Sequence, residues 1–138
     1  MIIKLRRNDY LELRKAGVVA IDAKLADNSG AKSLKVIHVH GGSFRRFGFI
    51  GDMVTAVIDQ ADPNGYVKDS QLVKAVIVRT RKETRRADGT YVRFDDNAAV
   101  IIDPKTKDPV GSRVFGPIAR EVKDRGYAKI ASLAQEVV

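Results

Sequence analysis

The chain has 138 residues and a formal net charge of +8, from 25 Lys and Arg against 17 Asp and Glu, with no Cys and no Trp. That length fits one domain of ordinary size, and a 44% hydrophobic composition excludes global disorder. The missing cysteines exclude a disulfide framework, a thiolate nucleophile and a cysteine metal cage, and no apolar run reaches the roughly 18–20 residues that span a bilayer.

Residues 1–17 interleave Ile2, Ile3, Leu5, Leu11 and Leu13 with Lys4, Arg6, Arg7, Asp9 and Glu12. A signal peptide needs a continuous apolar core, and a mitochondrial transit peptide is usually poor in acids. The stretch reads as a basic extension, either a short RNA-binding arm or an added edge element. A single domain is expected over 18–138.

Val18 to Leu25 alternates, with Val19, Ile21, Ala23 and Leu25 on one face, which is the period of a half-buried strand. Asp27-Asn28-Ser29-Gly30 is a turn cluster. A second strand covers Ser33 to His40 and is broken by Gly41-Gly42-Ser43. A third runs from Met53 to Gln60, and Pro63-Asn64-Gly65 marks a turn. Gln71 to Arg81 is β-branched and apolar, then basic. Asp88-Gly89 between extended runs signals a hairpin, Phe94 ends the return strand, and Ala98 to Ile102 is a buried strand. Pro117 suits a first helical turn, so the pattern predicts a helix over Ile118 to Arg125, stopped by Gly126, and a second helical segment over Ala128 to Val137. Short strands without crossover helices favour a mainly β fold, a closed barrel rather than a parallel sheet.

The charge is concentrated. Arg79 to Arg93 holds six basic residues (Arg79, Arg81, Lys82, Arg85, Arg86, Arg93) against Glu83 and Asp88, and Met1 to Lys15 holds five against two. Mutual repulsion makes such packing costly without a counter-charge, so the hairpin is the leading candidate for a polyanion contact. Arginine grips phosphate bidentately and stacks on bases. Tyr91 and Phe94 are candidate stacking residues, Phe94 equally a core anchor. Arg45 and Arg46, flanked by Phe44 and Phe47 after a Gly pair, form a second candidate phosphate grip.

Catalytic readings are poorer. Ser29 has no nucleophile-elbow sequence around it, although His38 and His40 share one strand face. Two histidines alone do not make a metal site. Asp95, Asp96 and Asp103 could bind a cation, but counter-charge for the Arg-rich hairpin is the simpler role. There is no P-loop or dinucleotide-binding glycine pattern.

Several motifs in order then become specific: Ala26-Asp27-Asn28-Ser29-Gly30-Ala31, His40-Gly41-Gly42-Ser43, Ile50-Gly51-Asp52 and Lys74 through Thr80. Arg85-Arg86-Ala87-Asp88-Gly89, Arg93 through Val100, Gly111 through Glu121 and Lys129 through Ala134 complete the series. From about Val18 onward the chain resembles the large-subunit ribosomal protein L-fourteen family of bacterial and organellar type. The resemblance implies a five-stranded barrel with a projecting basic ribbon and a short C-terminal helical region. It implies no enzymatic activity, no cofactor and no metal, and a structural role on large-subunit rRNA. The residues assigned to rRNA are Lys32, Arg45, Arg46, Arg79, Arg81, Lys82, Arg85, Arg86, Arg93 and Arg120. Implied partners are ribosomal proteins L-three and L-nineteen, small-subunit rRNA across an intersubunit bridge, and the ribosome silencing factor, whose docking positions match Ser112, Arg113 and Lys129. Gln135 stands where bacterial members usually carry Pro, which suggests a mitochondrial matrix ribosome, with bacterial cytoplasm or plastid stroma as alternatives. The competing reading is a free-standing OB-like module for single-stranded nucleic acid.

Overall fold

The structure, a computed structural model, describes residues 3–4, 22–25, 30–40, 47–65, 67–68, 70–81 and 83–138. It is mainly β with two short helices among the described residues. Five strands form the body: β2 (Asp22–Leu25), β3 (Ala31–Val39), β5 (Met53–Ala61), β6 (Leu72–Arg79) and β9 (Ala98–Ile102). They hydrogen-bond in that order, and β9 returns to pair in parallel with β2, so the pairings close on themselves as a barrel. The other four pairings are antiparallel.

Burial follows the period of two. Leu34 and Val36 of β3, Val54, Ala56 and Ile58 of β5, Ala75 and Ile77 of β6, and Ala99 and Ile101 of β9 fill the barrel. On β3 the inward phase moves from Val36 to Val39, and the register irregularity between Val36 and His38 accounts for the slip. Strands β6 and β9 are apolar on both faces because both are covered. Val76, Val78, Ala98, Val100 and Ile102 face outward into a second core with Val114, Ile118, Val122, Tyr127 and Ile130.

That second layer is built by β10 (Val114–Ile118), α1 (Arg120–Asp124), α2 (Ala128–Leu133) and β11 (Ala134–Val137). Here the structure departs from the sequence pattern. Pro117 lies inside β10, not in a helical turn, and α1 starts only at Arg120. The last segment leaves helix after Leu133 and pairs in parallel with β10, Val114 opposite Ala134 and Ile118 opposite Val137. Proline donates no hydrogen bond, and the irregularity between Val114 and Pro117 accommodates it in this two-stranded ribbon. Of the basic extension, Ile3–Lys4 (β1) pairs antiparallel with Phe47–Gly48 (β4), an edge pairing. The remainder of that segment lies outside the described residues.

Candidate nucleic-acid interface

The basic segment leaves the barrel at the end of β6 and returns as a hairpin of β7 (Thr84–Arg85) and β8 (Tyr91–Val92). Arg86 and Thr90 close it: the Arg86 N–H donates to the Thr90 carbonyl at 2.8 Å, and the Gly89 N–H donates to the Arg86 carbonyl at 3.0 Å. Gly89 sits at φ +87, a conformation that favours a residue without Cβ. Asp88 Oδ1 accepts from the Thr90 hydroxyl at 2.6 Å and its N–H at 3.0 Å, and these bonds lower its carboxyl pKa.

Alternation sorts the side chains. Val92 and Phe94 turn into the second core, while Arg85, Tyr91 and Arg93 stay exposed. Arg81 is exposed too, its backbone held by a 3.0 Å bond from its N–H to Asn97 Oδ1. The Phe94 N–H donates to the buried Thr80 carbonyl at 3.0 Å and fixes the hairpin base.

Two arginines of the run turn inward. Arg79 is 12% exposed in its side chain, and Nη1 donates to the carbonyls of Phe115 at 2.9 Å and Pro117 at 3.3 Å. Its buried Nε lies 3.1 Å from Asp96 Oδ1, close enough for an ion pair but too bent for a hydrogen bond. Asp96 thus supplies counter-charge to the run. Arg86 donates through Nε to Glu121 Oε1 at 2.6 Å, and through Nη2 to Glu121 Oε2 at 3.3 Å and the Val138 main-chain oxygen at 2.6 Å. Hydrogen bonding to Glu121 raises the Arg86 pKa. Burial pushes the Glu121 carboxyl up, but the Arg86 hydrogen bonds, a backbone bond and the charges of Arg86 and Arg120 together outweigh it and hold the group below its ordinary range.

The remaining candidates are scattered. Lys32 is exposed on β3 and Arg120 is exposed at the start of α1. Arg45, Arg46, Lys82 and Ser29 lie outside the described residues. Ser112 and Arg113 are exposed just before β10, and Lys129 of α2 reaches Asp108 Oδ2 at 2.9 Å. Exposed Phe115 and Leu133 belong to the same two elements, β10 and α2.

Among the described residues no group of three or more His, Cys, Asp or Glu is placed to take an ion. Instead Lys74 Nζ donates to Thr55 Oγ1 at 2.6 Å and approaches His40 Nε2 at 3.1 Å, and Thr55 Oγ1 is 2.6 Å from the same nitrogen. The arrangement is satisfied when Nε2 is unprotonated and accepts. Burial, then the charge of Lys74 and the neighbouring His38, lowers the His40 pKa. A groove of about 460 Å³ lined by Thr55, Leu72, Lys74, Ile101, Asp103 and Val110, among others, includes none of the hairpin arginines.

Sequence reasoning missed two structural carboxylates. Asp52 is 3% exposed, accepts the Phe49 N–H at 2.7 Å and pairs with Arg125 at 3.0 Å, joining the loop before β5 to the turn between α1 and α2. Glu121 gives no local signal, because its partner lies far away in sequence.

The family model described as Ribosomal protein L14p/L23e matches residues 18–138. The large ribosomal subunit protein uL14 of Petrotoga mobilis (strain DSM 10674 / SJ95) is 59% identical over 122 residues, which covers 87% of this chain and 99% of that protein.

Proposed function

The chain belongs to the Ribosomal protein L14p/L23e family, and from that premise we propose that its exposed hairpin arginines anchor it to large-subunit rRNA. It is a structural, non-enzymatic constituent of the large ribosomal subunit. The observation that carries the rRNA reading is the division of labour in the hairpin. Arg79 and Arg86 are spent on the chain's own oxygens, while Arg81, Arg85 and Arg93 stay exposed on a ribbon whose base is fixed. Lys32 and Arg120 add exposed charge elsewhere on the surface. Arg45, Arg46 and Lys82 belong to the proposed contact set by sequence alone.

The partner surface is proposed on the second layer. Exposed Ser112, Arg113 and Lys129, beside Phe115 and Leu133, offer a mixed polar and apolar face suited to the silencing factor. Contacts with ribosomal proteins L-three and L-nineteen, and with small-subunit rRNA at a bridge, complete the reading. The similarity to a bacterial protein supports a bacterial ribosome over the mitochondrial one first expected. Gln135 has a local use that carries no compartment information: its Oε1 accepts the Gly116 N–H at 3.2 Å.

The test is binding of a large-subunit rRNA fragment across a salt series. Replacing Arg81, Arg85 and Arg93 together with Ala is expected to weaken binding and to flatten log K against log salt by roughly 0.7–0.9 for each phosphate no longer neutralised. An unchanged slope, with normal incorporation into subunits, would overturn the hairpin as anchor.

A further inference from the structure

Tyr91 stands directly across the hairpin from Arg85. Side chains at opposed positions of an antiparallel pair share one face, with Cβ atoms about 4.5–5.5 Å apart. Tyr91 is 62% exposed, whereas the next aromatic on the same run, Phe94, is tucked into the second core. The strand period explains the difference in direction but not the choice of residue. A tyrosine there leaves a broad ring face in water, where a threonine would serve the hairpin equally well. Arginines flank the ring: Arg85 stands opposite it, and exposed Arg93 lies two residues on, just past the end of β8. The turn beside it is stiffened by Asp88 and Thr90, and the inward bonds of Arg86 fix the adjoining residue, so the face is pre-organised.

We propose that Tyr91 and Arg85 form a stacking platform for one unpaired nucleobase, with Arg93 on the adjoining phosphate. The inference rests on the reading of the hairpin as an RNA contact and adds a substrate feature to it: the ribbon takes an extruded or single-stranded nucleotide, not duplex backbone alone. A π-face receives any base, and a guanidinium plane stacks as well as pairs, so the platform recognises unpairedness without reading sequence. Cationic surroundings favour a base carried on a phosphate chain over an apolar protein segment.

The test uses the full chain and two labelled RNA hairpins of one stem, one fully paired and one with a single unpaired purine. Wild type is expected to bind the bulged RNA more tightly. Tyr91→Ala is expected to weaken the bulged complex about 5- to 150-fold with no change in salt slope, since a stacking contact releases no counterions. Tyr91→Phe keeps the preference, and Arg85→Lys, which retains charge but not the planar fork, loses part of it. If Tyr91→Ala binds the bulged RNA as wild type does, while the triple arginine variant loses both RNAs, the platform falls and the hairpin reading stands. If the triple variant also binds normally, both fall. No wild-type preference for the bulge overturns the proposal, as does a Tyr91→Ala defect confined to assembly with a ribosomal protein.

Discussion

Arg86 and Glu121 lie 35 residues apart and meet through two hydrogen bonds, Nε to Oε1 at 2.6 Å and Nη2 to Oε2 at 3.3 Å. The same guanidinium holds the Val138 main-chain oxygen at 2.6 Å. One side chain therefore ties the hairpin to α1 and to the end of the β10–β11 ribbon. Its place in a dense basic run gives no hint of this, because a charge that binds RNA and a charge that binds its own fold read alike in one dimension.

Glu121→Gln separates these roles by sign. It removes a negative charge near the hairpin, so electrostatics alone predicts tighter RNA binding. The clamp predicts the opposite: a loosened ribbon, weaker binding, and a stability loss of about 1–2 kcal/mol for a charge-assisted pair that is only partly buried. Binding isotherms together with urea midpoints decide between them. The Glu121 pKa is lower folded than unfolded, so the clamp is at full strength above the ordinary glutamate value of 4.5 and is lost as pH falls through the depressed one. Glu121→Gln should flatten that acid limb.

His40 predicts a second pH dependence at milder acidity. Its pKa is lowered from 6.5 when folded, by burial first and then by Lys74 and His38. The unfolded chain then binds the proton more readily in the interval between the two values. Stability is complete above 6.5, falls as pH drops from there to the depressed value, and levels off below it. Proton uptake at Nε2 would also oppose the nearby Lys74 ammonium. Urea midpoints at about pH 7.5 and about pH 5.5 should differ less in His40→Gln than in wild type.

Replacing Ile130 by Ala tests the second core. The residue is fully buried on α2, against the outer face of β6 and β9. Truncation there should cost about 2–4 kcal/mol, measured as a drop in urea midpoint. Hydrogen exchange should rise first in α1, α2 and β11, while the barrel interior around Leu34, Ile58 and Ile101 stays protected.

That layered core also shows what was legible in the chain. Ala98–Ile102 was readable as a buried strand, since a continuous apolar run bounded by turn residues has few other uses. The partner of its outer face was not readable. Pro117 suits a helix start by local preference, but long-range pairing with β11 places it in a strand. Asp96 is legible as counter-charge because it is close in sequence to the run it serves, whereas Glu121 is not. At the site, outward Arg85, Tyr91 and Arg93 follow from strand alternation, while the inward turn of Arg79 and Arg86 depends on carbonyls and a carboxylate that only the folded chain brings near.

Gly116 offers the sharpest test of that inward turn. It sits at φ +75, and a Cβ there would collide with Nη1 of Arg79, which is held by the carbonyls on either side of it, Phe115 and Pro117. A flexible arginine could normally step aside, but this one is also paired with Asp96. Gly116→Ala therefore adds backbone strain of about 1–2 kcal/mol and the loss of the Arg79 bonds, about 2–4 kcal/mol together in a denaturant melt. Arg79→Ala should reproduce most of the loss without the backbone strain. Neither variant removes an exposed hairpin charge, so both should keep the wild-type salt slope while Arg85→Ala lowers it. A Gly116→Ala protein as stable as wild type would show that the Arg79 guanidinium is not anchored at this position.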